Sequence, residues 1–314
     1  MNKNQPQFDV RRTMKSRPFE RIILQNHTLG EIFKFAALFG AYAFIWPRFV
    51  APYRWRLVQY EMRMKNMGAG FDGYRLLQLA DLHTGAVRQS YLKDVVRKTI
   101  AEKPDLIVLT GDLIDYQPAA LEKLEELLQM LHAPDGVVAI FGNHDYHEYS
   151  WRHVGPRSRH RSIHKRLRAL LARCGIKLLC NQSLTLQRGN SQLRIVGIDE
   201  LWAGLADPQA AFDGVVADEP CICLQHNPDG AMLFRNFPWQ WMLCGHTHGG
   251  QVDLPVLGSM FVPMENRRFL RGLFEFSDNG AVSKRMYVST GVGHATPVRL
   301  RVAPEAVLFT LRRQ

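Results

Sequence analysis

Residues 74–115 read YRLLQLADLHTGAVRQSYLKDVVRKTIAEKPDLIVLTGDLID, and this stretch decides the fold. Tyr74–Ala80 has the pattern of a buried strand, Tyr91–Lys103 that of a helix, and Asp105–Thr110 that of a second buried strand. Strand–helix–strand order with buried strands predicts parallel pairing and a right-handed crossover. The stretch therefore predicts a layered α/β fold.

The same alternation continues along the chain. Ala119–His132 carries leucines at helical spacing, Gly136–Phe141 predicts a third strand, and Ile163–Arg173 predicts a basic helix. Short strands with turn signals between them follow at Lys177–Cys180, Ser183–Gln187, Leu193–Ile198, Cys221–Gln225, Trp241–Cys244, Arg285–Ser289 and Val307–Leu311. Strands thus dominate the second half, and no linker separates the two halves.

Polar clusters capable of binding metal follow five of these strands. The first three clusters are DLH at 81–83, GDLID at 111–115 and GNHD at 142–145. His226 then follows the run CICLQ, and GHTHGG at 245–250 follows WMLC. Because ligands in open α/β sheets bind outside the carboxyl ends of the strands, we expect the clusters to converge on one site.

The residue types in these clusters suit divalent metals. Imidazole and carboxylate groups hold manganese, iron or zinc, and two such ions about 3.5–4 Å apart can clamp both oxygens of an in-line displacement. A single cluster is weak evidence, since an Asp at a strand end often caps a helix. Isolated histidines such as His27, His132 and His294 receive no role. The joint occurrence of all five clusters indicates a dinuclear metal site.

The order DxH, GDxxD, GNHD, H, GHTH resembles the calcineurin-like metallophosphoesterase superfamily, over roughly residues 73 to 312. LQHNPD at 224–229 and GHTHGGQ at 245–251 are similar to its bacterial, membrane-associated subgroup, which resembles the UDP-2,3-diacylglucosamine pyrophosphatases of lipid A synthesis. The resemblance implies a four-layer αββα sandwich of two mixed sheets flanked by helices. It also implies hydrolysis of a phosphoester or pyrophosphate with two divalent metal ions (Mn, Fe or Zn).

The resemblance implies a role for each matching residue. Seven residues are the implied metal ligands: Asp81, His83 and His248 for the first ion, Asn143, His226 and His246 for the second, and Asp112 as the bridge. His144 would protonate the leaving oxygen or stabilise the transition state, with Asp145 orienting it. Asp115 would either share in the site or only hydrogen-bond the ligand loop.

The first 70 residues are expected to form a basic arm before a catalytic domain at 71–314. Residues 1–66 hold twelve Lys and Arg against four acids, which accounts for most of the net charge of +11. Residues 35–46 (FAALFGAYAFIW) are apolar but shorter than the roughly 20 residues of a spanning helix, and aromatic residues crowd their carboxyl end. We expect residues 33–55 to associate with a membrane surface. A helix packed on the domain and an export signal headed by Arg11-Arg12 are the alternatives.

Two further basic segments lie near the metal-binding clusters in sequence. Trp151–Arg173 directly follows GNHD and contains eight Lys or Arg and no acid. This segment is either a cap that binds an anionic headgroup or nucleotide, or a solvated helix face. Glu265–Gly272 (ENRRFLRG) supplies arginines suited to a second phosphate. The five cysteines lack a CxxC pair and predict free thiols rather than a zinc site.

These observations favour a lipid-linked phosphodiester or pyrophosphate as the substrate, with UDP-2,3-diacylglucosamine the best match. The expected location is the inner membrane, with the catalytic domain on its cytoplasmic face. A nuclease or nucleotide phosphodiesterase is the first alternative, but basic charge concentrated beside an apolar segment does not suit a nucleic-acid groove. A non-catalytic metal-binding scaffold is the second, and retention of all seven ligands and His144 opposes it.

Overall fold

The computed structural model describes residues 9–12, 29–115, 119–146, 157–254, 258–259, 265–278 and 281–314. The strands in these ranges are β1 (Asp9–Arg12), β2 (Arg56–Met64), β3 (Arg75–Leu79), β4 (Leu106–Thr110), β5 (Val137–Ile140), β6 (Lys177–Leu178), β7 (Gln182–Arg188), β8 (Ser191–Gly197), β9 (Cys221–Leu224), β10 (Trp241–Cys244), β11 (Gly272–Asp278), β12 (Ala281–Val288) and β13 (Glu305–Arg313). The α-helices there are α1 (Leu29–Ile45), α2 (Gln89–Ile100), α3 (Ala119–Leu128), α4 (Arg157–Arg173), α5 (Pro208–Ala211) and α6 (Gly230–Leu233).

The strands form two mixed sheets, as the family resemblance implies. One sheet has the order β2-β13-β3-β4-β5-β6, and the other β1-β11-β12-β10-β9-β8-β7. Parallel pairing joins β3 through β6 in the first sheet and β8, β9, β10 and β12 in the second. The parallel strands of each sheet therefore point their carboxyl ends toward one edge, where the connecting loops gather.

The two sheets pack face to face, and helices cover the six-stranded sheet. Period-2 alternation turns Leu76 and Val108 toward the other sheet, where they share a core with Leu243. Leu77 lies on the opposite face of β3 and packs in the core beneath the helices, which includes Leu124 of α3. All five side chains are fully buried, so both faces of the parallel strands are covered.

The outer face of the seven-stranded sheet has a thinner cover. Trp239, Phe269 and Phe274 pack there with residues of the short helices α5 and α6. Cys223 and Cys244 belong to this core and are fully buried, and all five cysteines are free thiols. Burial raises the pKa of Cys223 and Cys244 well above the ordinary range, so both stay protonated and behave as small hydrophobes.

The strand β2 lies within the N-terminal arm, which was predicted to extend to residue 70. It pairs in parallel with β13 along all nine residues, from Arg56 to Met64. The side chains of Met62 and Met64 are fully buried between the sheets. Residues 56–64 therefore belong to the sheet of the domain, because their removal would expose the core and leave β13 unpaired on one side.

The apolar segment of the arm lies mostly in α1, which has large exposed apolar side chains. Phe33 and Phe44 are 73% and 71% exposed, and Leu38 and Tyr42 are exposed as well. A π-helical turn (Trp46–Val50) and a 3-10 turn (Ala51–Tyr53) connect α1 to the domain. Among the described residues, no helix is long and apolar enough to cross a membrane.

The basic segment 151–173 is described only in part. Residues 151–156 lie outside the described residues, and α4 begins at Arg157. From Ile163 onward the helix has a buried apolar face, which includes Leu167, and an exposed face, which includes Arg166. Its carboxyl-terminal part thus packs on the domain through one face, and the substrate cap predicted for residues 151–173 stays a prediction.

Candidate metal centre

The five polar clusters meet at the carboxyl ends of β3, β4, β5, β9 and β10. The pairing of β3 with β4 and of β4 with β5 brings the first three clusters side by side, and the pairing of β9 with β10 does the same for the last two. The seven predicted ligands are all buried: Asp81, His83, Asp112, Asn143, His226, His246 and His248. Face-to-face packing of the two sheets joins the two sets into one site.

Four of these residues form the first group of ligand atoms. Asp81, His83, Asp112 and His248 each offer one atom, and these atoms lie within 4.8 Å of one another. The Nε2 atoms of His83 and His248 are 3.1 Å apart, and Asp81 Oδ1 is 3.7 Å from His248 Nε2. The grouping coincides with the ligand set expected for the first metal, together with the bridging carboxylate.

Asp112, His226 and His246 form the second group, again within 4.8 Å. The Oδ1 atom of Asn143 joins them, at 2.9 Å from His246 Nδ1 and 3.2 Å from His226 Nε2. Asp112 is common to both groups: its Oδ2 lies 3.6 Å from His83 Nε2 and 3.2 Å from His226 Nε2. A single carboxylate oxygen thus faces both sets of ligands.

Backbone conformation aims most of these side chains into the site. Five of the seven ligands have positive φ angles: Asp81 (56°), His83 (45°), Asp112 (52°), His246 (73°) and His248 (49°). The left-handed region is sparsely populated by residues other than glycine and costs of order 1–3 kcal/mol at each position. Such conformations persist only where the surrounding structure enforces them, which is typical of functional sites.

Two glycines allow the loops to approach the ligands closely. A Cβ atom on Gly111, whose φ is 89°, would collide with the ring of His226. A Cβ atom on Gly142 would collide with the carboxylate of Asp112. The glycines of GDLID and GNHD are therefore needed for the close approach of these loops to His226 and Asp112.

The arrangement of acceptor atoms fits bound cations. His226 Nδ1 lies 2.8 Å from the carbonyl oxygen of Thr110 and donates to it, so its Nε2 atom faces Asp112 Oδ2 and Asn143 Oδ1. Asp81 Oδ2 is buried and has no hydrogen-bond partner among the described residues. Buried acceptors facing one another require a positive charge between them.

The buried carboxylates and imidazoles of the site shift one another's pKa values. Burial lowers the pKa of His226, but Asp112 and Asp81 outweigh it and raise it to about 10. Burial, with the charge of Asp112, raises the pKa of Asp81 to about 7. Burial and the neighbouring His144 lower the pKa of His83 to about 3, so its ring is neutral, as a metal ligand must be.

The side chains around His144 differ from the prediction. His144 Nδ1 is 3.5 Å from Asp115 Oδ1, whereas the carboxylate of Asp145 accepts hydrogen bonds from the backbone N–H groups of Leu113 (2.9 Å), Ile114 (3.1 Å) and Gly142 (2.9 Å). Asp115, rather than Asp145, thus lies next to the His144 ring, and the role predicted for Asp145 in orienting His144 stays a prediction. Asp145 instead fixes the loops that carry the ligands.

His144 itself lies at the edge of the ligand cluster. Its backbone N–H donates to Asp112 Oδ1 (2.9 Å), and its ring is 4.5 Å from that of His83. Burial opposes protonation of the ring, but Asp112 and Asp115 outweigh burial and raise the pKa of His144 above its ordinary value. A protonated imidazole next to the ligands can donate a proton or a hydrogen bond to a bound phosphate.

The ligands open into a cleft of about 460 Å³. Asn143, His144 and His246 line it on the metal side, and Trp202 and Val298 are among its apolar lining residues. The Trp202 ring packs edge-on against His246, with ring centroids 4.6 Å apart. Sequence analysis missed Trp202, although it follows β8 and so obeys the same strand-end rule as the predicted ligands.

A buried arginine that sequence analysis also missed holds one ligand loop in position. Arg299 is fully buried and donates to the carbonyl oxygens of His248 (3.0 Å), Thr290 (2.8 Å) and Gly293 (2.7 Å). These hydrogen bonds tie the GHTH loop to the segment between β12 and β13. The sequence VRLRV around Arg299 resembles an exposed strand and gives no signal of such a role.

Fold and site together define a dinuclear metallohydrolase. The family model for calcineurin-like phosphoesterases matches residues 74–250, which include all seven ligands. The chain belongs to the calcineurin-like phosphoesterase family. It is a metal-dependent phosphohydrolase, and its cofactor is a pair of divalent metal ions.

Several curated proteins are similar over most of this chain. Phosphodiesterase YaeI of Escherichia coli (strain K12) is 35% identical over 240 residues, which cover 76% of this chain and 82% of YaeI. The uncharacterized metallophosphoesterase YkuE of Bacillus subtilis (strain 168) is 30% identical, over 87% of this chain and 90% of YkuE. UDP-2,3-diacylglucosamine pyrophosphatase LpxG of Chlamydia muridarum (strain MoPn / Nigg) is 28% identical, over 84% of this chain and 92% of LpxG.

Proposed function

We propose that this chain hydrolyses a phosphodiester or pyrophosphate bond in a lipid-linked substrate, with UDP-2,3-diacylglucosamine as the best candidate. The observation that carries the proposal is the cleft, in which the metal ligands lie beside the apolar side chains of Trp202, Val252 and Val298. An amphipathic substrate presents the same two surfaces, a phosphate and an apolar group. Similarity to LpxG, a UDP-2,3-diacylglucosamine pyrophosphatase, supports the choice.

The proposed metal ligands follow the two groups of side chains. Asp81, His83 and His248 would hold one ion, Asn143, His226 and His246 would hold the other, and Asp112, which belongs to both groups, would be shared by them. Bound there, two divalent ions supply a water molecule of lowered pKa and positive charge beside the phosphate. Manganese, iron and zinc all suit this set of nitrogen and oxygen ligands.

His144 is the proposed acid on the leaving-group side. Its ring lines the cleft, and its Nδ1 atom is 3.5 Å from Asp115 Oδ1, so the Nε2 side of the ring is the proposed side for the substrate. In this role His144 donates a proton to the leaving oxygen, or a hydrogen bond to a phosphate oxygen in the transition state. Trp202 contributes a wall that excludes water from one side of the cleft.

The enzyme is proposed to act at the cytoplasmic face of the inner membrane. The exposed apolar side chains of α1, with the positive charge of residues 1–66, support attachment to an anionic membrane surface. The five free cysteines agree with a reducing compartment. A lipid-linked substrate would be available at that surface.

Hydrolysis of bis-p-nitrophenyl phosphate tests the reaction. Metal-stripped protein is expected to be inactive, to regain activity with Mn²⁺, and to remain inactive with Mn²⁺ as the Asp112→Ala variant. Asp213→Ala, which removes an exposed carboxylate far from the ligand clusters in sequence, is the matched control and should retain full activity. Equal activity of the metal-stripped and Mn²⁺-loaded proteins would contradict the dinuclear mechanism.

A second assay tests the substrate class. The Mn²⁺-loaded protein is expected to cleave UDP-2,3-diacylglucosamine at a kcat/KM at least about 100-fold above that for bis-p-nitrophenyl phosphate, since remote binding energy contributes only with the full substrate. Cleavage of DNA or cyclic nucleotides, with no activity on the lipid, would favour the nuclease or phosphodiesterase alternative.

A further inference from the structure

A second cavity, of about 360 Å³, lies apart from the catalytic cleft and is rich in arginine. Four arginines line it, namely Arg54, Arg56, Arg271 and Arg301, together with the apolar residues Trp46, Ala51, Val302 and Ala303 and with Thr290. No acidic residue is among the described residues that line it. We call it the arginine cavity. It shares no lining residue with the catalytic cleft.

Two of the four arginines are held in place by carboxylates. Arg56 Nη2 is 2.9 Å from Glu305 Oε2, and Arg271 Nη2 is 2.7 Å from Asp253 Oδ2. Arg271 Nη1 also donates to the carbonyl oxygen of Gly249 (3.0 Å). These contacts orient the two guanidinium groups and neutralise their charge, so they form a fixed frame for the cavity.

The other two arginines leave the cavity with excess positive charge. Within the described part of the chain, neither Arg54 nor Arg301 forms a salt bridge, and both side chains are exposed. The Arg54 guanidinium lies over the ring of Trp46, 5.7 Å from its centroid. Arginines grouped around a concave surface match the charge and the multiple acceptor oxygens of a phosphate.

The arginine cavity adjoins the exposed apolar surface of α1. Trp46 lines the cavity and directly follows Ile45, the last residue of α1. Phe44, Ile45 and Phe49 are 71%, 50% and 49% exposed on either side of it. The surface thus changes over a short distance from the apolar side chains of α1, through Trp46, to the arginines of the cavity. A lipid bilayer presents acyl chains, an interface and phosphates in the same order.

We propose that the arginine cavity binds the phosphate of an anionic phospholipid while the apolar side chains of α1 enter the same bilayer. The site is a docking site for the membrane, separate from the metal centre, and it does not depend on which substrate the enzyme cleaves. Because Arg271 binds Gly249, next to His248, docking fixes the orientation of the catalytic cleft to the lipid surface.

Binding of the full-length protein to vesicles tests the proposal. Vesicles of phosphatidylcholine alone are compared with vesicles containing phosphatidylglycerol, using wild type, Arg54→Gln/Arg301→Gln and the control Arg97→Gln/Arg313→Gln. The control removes the same charge from exposed positions that do not line the cavity. We expect the cavity variant to lose at least about tenfold in affinity for the anionic vesicles and the control to change by less than about threefold.

Three results of the vesicle experiment would overturn the proposal, and one result of an activity assay would do so as well. The three vesicle results are equal loss of affinity in both double variants, wild-type affinity of the cavity variant, and equal affinity of wild type for neutral and anionic vesicles. Hydrolysis of bis-p-nitrophenyl phosphate by the cavity variant should equal that of wild type. Loss of this activity would instead assign the arginines to substrate binding in solution and would likewise overturn the docking role, while leaving the proposed reaction intact.

Discussion

Asp115 and Asp145 are two carboxylates near His144 with different surroundings, and this difference separates their roles. Asp145 is fully buried and accepts three backbone N–H groups, whereas Asp115 lies 3.5 Å from His144 Nδ1. Sequence proximity favoured Asp145 as the partner of His144. The tight turn of GNHD directs its side chain inward instead, toward the GDLID loop, and this reversal is not visible in the order of residues.

The substitution Asp115→Asn should reduce catalysis without unfolding the protein. We expect kcat for bis-p-nitrophenyl phosphate to fall about 10- to 100-fold, because His144 loses the carboxylate that orients and charges it. Thermal unfolding should change little, since Asp115 is near the surface of the site. An unchanged kcat would remove Asp115 from the mechanism.

The substitution Asp145→Asn should chiefly affect stability. In the variant, an amide NH₂ replaces one of the two carboxylate oxygens. It would face either the backbone N–H of Gly142 or those of Leu113 and Ile114, and these N–H groups would lose their acceptor. We expect a loss of about 1–3 kcal/mol in the free energy of unfolding, measured by urea titration of metal-free protein. Wild-type stability combined with loss of activity would restore Asp145 to the catalytic role first predicted for it.

The buried His294 is expected to make the free energy of unfolding depend on pH. It is fully buried, both ring nitrogens lack hydrogen-bond partners among the described residues, and burial together with Arg299, Arg48 and Arg88 lowers its pKa to about 3. Below pH 6.5 the unfolded chain takes up a proton at His294 that the folded chain does not. Stability is therefore lost as the pH falls, by about 2 kcal/mol at pH 5.

The variant His294→Phe should lack this contribution. Urea unfolding at pH 7 and pH 5, in chelator, is expected to show an acid-induced loss about 2 kcal/mol smaller in the variant than in wild type. Other histidines titrate in both proteins and cancel in the comparison. Identical losses would mean that His294 accepts a proton in the folded state.

At the scale of elements, the buried strands were predictable and two half-exposed strands were not. β3, β4, β5, β9 and β10 carry buried runs that end in polar clusters. By contrast, β2 (RLVQYEMRM) and β11 (GLFEFSD) alternate apolar and polar residues and contain charged side chains. The period-2 signal of β2 was present in Val58, Tyr60, Met62 and Met64. Its basic residues made it resemble a continuation of the arm.

Truncation tests the revised domain boundary. A chain beginning at residue 46 keeps β2 and the contacts of Tyr53 with Tyr91 and His294, and should fold and hydrolyse bis-p-nitrophenyl phosphate. A chain beginning at residue 65 loses Met62, Met64 and the pairing with β13, and should be insoluble or unfolded by circular dichroism. Normal folding of the shorter chain would restore the boundary near residue 70.

At the scale of the whole molecule, the metal ions are expected to hold the two sheets together at one edge. Asp81 and Asp112 follow strands of one sheet, and His226 and His246 follow strands of the other. Ions bound between them stabilise the folded state by mass action, by about 2.7 kcal/mol at a metal concentration 100 times the dissociation constant.

Removal of metal should therefore lower the melting temperature, and Mn²⁺ should restore it. The Asp112→Ala variant, without its bridging carboxylate, is expected to show a much smaller shift on addition of Mn²⁺. A melting temperature that is insensitive to chelator and to Mn²⁺ would show that the ions contribute nothing to the packing of the sheets.

The ligand residues could be predicted from sequence because each lies at a strand end, and strand ends are the best-defined points of this fold. The arginine cavity could not be predicted, because Arg54, Arg56, Arg271 and Arg301 come from three distant segments with no shared motif. Arg299 was missed for the same reason, whereas Trp202 follows β8 and was within reach of the strand-end rule. Only the packing of loops against one another brings such residues together.

The positive φ angles of five ligands have a consequence for protein engineering. In this site the side chains reach their positions through left-handed turns of the backbone, rather than through a choice of rotamer on regular strands. Copying Asp81, His83, Asp112, His246 and His248 onto another scaffold would thus not reproduce the site. The transplantable unit is the loop, with its glycines and its hydrogen bonds to Asp145 and Arg299, and a designer would have to graft all of it.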